Sequence, residues 1–209
     1  MIVLAETNFV FELSFSRDKF ASCLDLLTLA ERKEIELLLP AYSLVEPYET
    51  MIRRQKARVR AHDMIRTEIA EIGRSEQFKE PASQLGQLTG LLIQAGEVEQ
   101  QELAKVITKL LEVTTLIDLN AAILQQAAAY RDELGLSPQD SVVFASVMAA
   151  LALRGGPACF ITKNSKDFAT PDIAEALERY DCKLLSDFAD GHSYVVHRLS
   201  SDHPPASAP

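Results

Sequence analysis

The sequence predicts a three-layer α/β/α domain with a mostly parallel central sheet and additional helices inserted into it. Short apolar runs recur at 2–5, 35–39, 115–119, 158–162 and 182–185. The run at 2–5 is continuous rather than alternating, as a strand covered on both faces is. Segments of helical spacing lie between the runs, so strand and helix alternate. Apolar residues make up 47% of the 209 positions, enough for a large core.

The elements follow in order. Residues 2–5 read as a buried strand, and 7–13 as a first helical turn. Helical spacing runs through 16–34 by way of Phe20, Cys23, Leu24, Leu27 and Ala30. The strand at 35–39 is closed by Pro40, and a long helix covers about 43–72. Pro47 is acceptable only near a helix start, which places Glu46 in the opening turns. The stretch 73–81 breaks the pattern. Two helices, 82–95 and 98–113, follow on either side of Gly96, so about 73–113 is a helical elaboration. A short strand at 115–119 precedes an alanine-rich helix, 120–134, ended by Gly135. Ser137-Pro138-Gln139-Asp140 opens the next helix, which stops before Gly155. A strand at 158–162, a helix at 173–180 and a strand at 182–185 complete the alternation. Residues 194–199 alternate like an edge strand. The reading is one domain over 1–199, with a Ser/Pro/Ala-rich tail at 200–209 expected to be disordered.

Composition excludes several functions. The chain carries 30 acidic and 21 basic side chains, a formal charge of −9. A uniformly acidic surface repels a phosphate backbone, so a nucleic-acid role needs a local basic patch. Cys23, Cys159 and Cys182 show no C-x-x-C spacing and read as reduced, buried thiols of a cytoplasmic protein. The start, Met1 to Glu6, lacks the basic region of a signal peptide. The longest apolar stretch, 142–153, falls short of the roughly 20 residues of a bilayer span. No Gly-rich phosphate loop is present, which argues against nucleotide hydrolysis and dinucleotide chemistry.

Acids sit where the strands end. Glu6, in Glu6-Thr7-Asn8, follows the first strand. Glu46 opens the long helix, Asp140 opens another, and Asn164 and Asp167 follow the strand at 158–162. The carboxyl ends of parallel strands form the ligand crevice of an open α/β sheet. Carboxylates gathered there repel unless a cation lies among them. Each acid also has an ordinary reading. Asp140 is an N3 acid of a capping box begun by Ser137, Glu46 a first-turn acid favoured by the helix dipole, and Asn164 and Asp167 Asx-turn residues.

Taken together, the four motifs resemble the PIN domain family of metal-dependent nucleases. Glu6-Thr7-Asn8 is similar to its opening Asp-Thr-Asn, Ser43-Leu44-Val45-Glu46 to its second motif, Asp140-Ser141-Val142-Val143-Phe144-Ala145-Ser146 to its third, and Thr162-Lys163-Asn164-Ser165-Lys166-Asp167-Phe168 to its fourth. The resemblance covers roughly 1–72 and 114–186. It implies a PIN-like fold and a Mg²⁺- or Mn²⁺-dependent ribonuclease. Glu6, Glu46, Asp140 and Asp167 would be catalytic, and Glu6, Asp140 and Asp167 would ligate the metal. Asn8, Thr162 and Asn164 would support them by hydrogen bonds. The family often carries an acid where Asn164 stands, so Asp167 would serve instead. It also implies an RNA substrate, a small antitoxin partner and a homodimer, as in toxin–antitoxin pairs.

A basic run favours a phosphate partner. Residues 51–66 hold Arg53, Arg54, Lys56, Arg58, Arg60 and Arg66 against the acid Asp63. On a helix Arg53, Lys56 and Arg60 share one face, and Arg54 and Arg58 a neighbouring one. The first five are the candidate nucleic-acid contacts; a solvated helix face is the plainer reading. Glu6 is one methylene longer than the usual Asp. That leaves a second function open, a PIN-like scaffold without efficient metal chemistry that binds RNA or protein. A phosphatase acting on small phosphoesters is a third.

Overall fold

The protein is described from a computed structural model covering residues 1–202, apart from the side chains of Gln87 and Asp202. Its elements are β1 Ile2–Ala5, α1 Thr7–Ser14, α2 Phe20–Glu31, β2 Glu36–Pro40, α3 Tyr42–Ile72, α4 Lys79–Val113, β3 Thr115–Ile117, α5 Ala121–Leu134, α6 Pro138–Arg154, β4 Ala158–Ile161, α7 Ser165–Phe168, α8 Pro171–Glu178, β5 Cys182–Leu185 and α9 Phe188–Asp202. The five strands form one parallel sheet in the order β3-β2-β1-β4-β5. The expected α/β/α architecture with added helices is what forms.

Strand residues alternate between two cores. Val3, Ala5, Leu37, Leu39, Cys159 and Ile161 face one layer, with Phe9 of α1, Leu26 of α2, Leu103 of α4 and Phe188 of α9. Leu4, Leu38 and Phe160 face the other, with Phe144 of α6, Phe168 of α7 and Ile173 of α8. Covering both faces explains the unbroken apolar runs. The chain moves outward from β1 to β2 and β3, then returns to lay β4 on the other side of β1. The carboxyl ends of β1 and β4 are therefore the topological switch point, where open α/β sheets place their ligands.

The elaboration is a helical hairpin. The two helices expected around Gly96 are one continuous helix, α4, packed along α3. Gly96 takes no left-handed turn, and a Cβ placed there would lie 3.8 Å from both Arg58 Nη1 and Gln55 Cγ of α3. The glycine thus sits where the two helices meet rather than breaking the helix. Of α3, Ser43, Leu44, Pro47 and Met51 are buried, all in its opening turns, and the remainder projects from the sheet. Because α3 begins at Tyr42, Glu46 stands in its second turn rather than its first.

The edge strand expected at 194–199 is instead part of α9, and residues 200–202 continue that helix instead of beginning a disordered tail. Helical spacing puts Phe188, Gly191 and Val195 on one face against the sheet, which alternation over six residues did not reveal. Residues 203–209 lie outside the described residues. Cys23, Cys159 and Cys182 are free and buried, and burial pushes their thiols well above the ordinary range, that of Cys182 to about 12. No single described helix is long and apolar enough to cross a membrane.

Gly191 marks the tightest approach of α9 to the sheet. A Cβ there would meet Ile161 Cδ1 at 2.5 Å and Cγ2 at 2.9 Å. Gly191→Ala should therefore destabilise the protein by about 1–3 kcal/mol through overpacking, read as a lowered urea midpoint. An unchanged midpoint would show that α9 does not dock on β4 this closely.

Candidate functional site

Glu6 is the N-cap of α1 and is only 4% exposed. Its Oε2 accepts from the Asn8 backbone N–H at 2.8 Å and from Asn8 Nδ2 at 3.3 Å. Its Oε1 accepts from Thr162 Oγ1 and from the Lys163 backbone N–H, both at 3.2 Å. Four donors fill the roughly four lone-pair positions of a carboxylate. Burial raises the Glu6 pKa above the ordinary value, and those hydrogen bonds oppose the rise. Glu6 thus ties the end of β1 to the end of β4.

The loop after β4 is held from a second side. Lys163 Nζ pairs at 2.7 Å with Glu12 of α1, which is 1% exposed, and Glu12 also accepts from the Lys19 backbone N–H at 2.7 Å. A buried carboxylate needs such a counter-charge. The Thr162 hydroxyl receives the Asn164 N–H at 2.9 Å, and Asn164 Nδ2 donates to Asp140 Oδ1 at 3.0 Å. Ser137 caps α6 by accepting from the Asp140 N–H at 3.1 Å, while its hydroxyl donates to Asp140 Oδ2 at 2.5 Å. The capping role expected of Asp140 and its place at the crevice therefore coexist.

Glu46 accepts a hydrogen bond from Thr7 Oγ1, which ties α3 to the start of α1. Its pKa is raised, first by burial and further by the negative charges of Asp140 and Glu49, while Thr7 and Arg53 oppose the rise. The pKa of the Tyr42 phenol is raised by burial and by Glu46, Glu49 and Asp140. Ser43, one turn before Glu46, has a buried hydroxyl with no hydrogen-bond partner among the described residues.

The predicted residues divide accordingly. The negative charge of Asp140 reaches Glu46, and Glu6, Asn8, Thr162 and Asn164 form a hydrogen-bonded network that ends on Asp140. Asp167 lies in the short α7, where its backbone N–H donates to the Asn164 carbonyl at 3.3 Å. No side-chain hydrogen bond or ion pair among the described residues joins it to the other acids. Asn164, not Asp167, is the α7-side residue that reaches Asp140. Thr7, Tyr42, Ser43 and Glu12 were missed by sequence reasoning. Thr7 alone had a signal, its place inside Glu6-Thr7-Asn8.

Among the described residues no three His, Cys, Asp or Glu side chains are arranged to hold a metal ion. Glu6 is saturated by hydrogen bonds, and Asp167 makes no side-chain hydrogen bond or ion pair among the described residues. The remaining donors, Glu46 and Asp140, are all oxygen and mutually repulsive. They suit a hard divalent cation that keeps several waters, not a three-carboxylate cage.

Of the basic residues, Arg58 is engaged by Glu99 of α4 through two bonds of 2.7 Å. Arg53, Lys56 and Arg60 are exposed, and the positive charge of Arg53 opposes the rise in the Glu46 pKa.

No family profile matches the chain, and no curated protein matches it. The solved structure of VapBC2 from Rickettsia felis, bound to a DNA fragment from its promoter, is similar with 17% sequence identity and a TM-score of 0.43, over 88% of this chain and 97% of that one. What the acids here can do is decided by their own surroundings.

Two expectations follow. Glu6→Ala removes a helix cap and leaves buried donors unpartnered, so it should cost about 3 kcal/mol of stability, whereas Asp167→Ala should stay within about 0.5 kcal/mol. Equal losses in urea melts would contradict this division. Glu46 has a folded pKa above its usual 4.5, so the favourable contribution is complete below that pH and is lost as pH rises through the raised value. Glu46→Gln should thus raise Tm at neutral pH, with the gain shrinking toward pH 4.5. A gain independent of pH would remove ionisation as the cause.

Proposed function

We propose that this protein is a metal-dependent hydrolase of RNA phosphodiester bonds, with Glu46 and Asp140 as its working carboxylates. The observation that carries the reading is that hydrogen bonds tie both acids, drawn from α3 and α6, to the switch point of a parallel sheet: Thr7, next to Glu6, bonds Glu46, and Asn164, held by Thr162, bonds Asp140. The resemblance of the four motifs to the PIN family supports it. Glu46 and Asp140 would hold Mg²⁺ or Mn²⁺, the cations that oxygen-only donors favour. When bound, such an ion supplies screening of phosphate charge and acidification of a water directed at phosphorus. Glu46, if it did not ligate the ion directly, would be placed to orient the attacking water. Asn164 and Ser137 fix both oxygens of Asp140, and Thr7 orients Glu46. Glu6 works underneath, holding the loop that carries Thr162 and Asn164. In the finer form of this proposal the chain is the toxin of a toxin–antitoxin pair, a homodimer restrained by a small antitoxin.

A second reading has its own support. The saturation of Glu6, with no three acids among the described residues arranged to hold an ion, favours a PIN-like scaffold that binds RNA or protein without cutting. One experiment separates the two. Labelled single-stranded RNA is incubated with the protein and Mn²⁺, with and without EDTA. On the hydrolase reading, cleavage disappears in EDTA and falls at least about 100-fold in Asp140→Asn, as removal of a principal electrostatic group does. An intact substrate, together with no heat of Mn²⁺ binding by calorimetry, would leave the scaffold.

A further inference from the structure

Beside the acids, α1 ends in a cluster of rings and guanidinium groups. The Phe15 N–H donates to the Phe11 carbonyl at 3.1 Å, and the Arg17 N–H donates to the Glu12 carbonyl at 3.2 Å. Ser16 between them has a φ of 45°. This is a Schellman-type turn with serine in the left-handed position that glycine usually fills. It turns Arg17 back over α1. The rings of Phe11 and Phe15 stack with centroids 5.7 Å apart and 24° between planes. The Arg17 guanidinium lies 5.0 and 5.3 Å from the two centroids. Arg54, arriving from α3, lies 5.9 and 5.8 Å from the same two.

Two partly buried cations from separate elements therefore share one aromatic platform. Among the described residues neither makes a hydrogen bond or ion pair through its guanidinium. The nearby acids are largely committed elsewhere: Glu99 to Arg58, and Glu12 to Lys163 and the Lys19 N–H. The Arg17 pKa is lowered, first by burial and next by the positive charge of Arg54. Adjacent guanidinium groups that repel each other are both relieved by one shared oxyanion, and their planar forks match phosphate geometry. Arginine-lined grooves that track the backbone are also how proteins engage single-stranded nucleic acid.

The platform is in line with the acids. Thr7 joins α1 to Glu46, and Phe11, one turn further along α1, meets Arg54. Arg54 follows Glu46 by eight residues on α3, about 12 Å along the helix. Arg53, exposed on the neighbouring face, extends the positive charge from Arg54 toward Glu46.

We propose that Arg17 and Arg54, over the Phe11–Phe15 platform, bind a backbone phosphate of single-stranded RNA a few nucleotides from the Glu46–Asp140 pair. As a description of how that site takes its substrate, this rests on the hydrolase reading.

Fluorescence anisotropy with a short labelled single-stranded RNA tests it, with EDTA present so that the strand stays intact. R17Q/R54Q should bind at least about 10-fold more weakly. The slope of log affinity against log salt should flatten by about 0.7 for each phosphate no longer neutralised. R17K/R54K keeps both charges without the forks, so it should bind a few-fold more weakly with an unchanged slope. R74Q, on an exposed residue paired with Glu71, should bind like the wild type. Circular dichroism melts accompany each variant, and if the glutamine pair does not fold, the lysine pair carries the test. Wild-type affinity and slope in the folded double variants would overturn the proposal. RNA cleavage persisting in those variants at the wild-type rate would place the failure here and spare the hydrolase reading. Loss of RNA binding in them, with no cleavage by the wild type, would spare this station and remove the hydrolase.

Discussion

One buried carboxylate organises this molecule. Glu6 follows β1, caps α1 and receives two donors from the segment following β4, which lies more than 150 residues later in the chain. A desolvated carboxylate without donors would be very costly, so the fold must bring Thr162 and Lys163 to it. Once that loop is fixed, Thr162 positions Asn164 and Asn164 reaches Asp140. The Lys163–Glu12 pair secures the same loop against α1. The Glu46–Asp140 pair is therefore supported by a hydrogen-bonded base that is itself built into the sheet.

The electrostatics run in two directions across a short distance. At the switch point, the negative charge of Asp140 adds to burial in raising the proton affinity of Glu46, an arrangement that stores repulsion and invites a cation. Along α1 and α3, arginines collect on rings and repel each other, an arrangement that invites an anion. On the proposed hydrolase reading both would be needed, placed close but apart, because a carboxylate pair alone would turn the phosphate away. The projecting α3–α4 hairpin supplies the second half. It also neutralises part of its own charge, since Arg58 is spent on Glu99.

Much of this was legible along the chain. Unbroken apolar runs marked the two central strands, β1 and β4, since burial on both faces leaves no polar positions there. The spacing of acids at strand ends pointed to the switch point. Local signals failed where partners are distant. The run at 194–199 alternates, yet Phe188 and Gly191 upstream fix it as a helix against Ile161. Gly96 looked like a break, yet a neighbouring helix fills the space beside it. The hydrogen bond by which Asn164 reaches Asp140 was likewise invisible along the chain, because the two residues lie on separate elements.

By itself the sequence determined the layered parallel sheet, the helical elaboration and the acids at its carboxyl edge. Periodicity and chain punctuation act over a few residues and are written locally. Which acid is free and which is consumed was decided only in three dimensions. The donors that saturate Glu6, the charge that perturbs Glu46 and the arginine that joins Arg54 all arrive from segments that no local pattern connects.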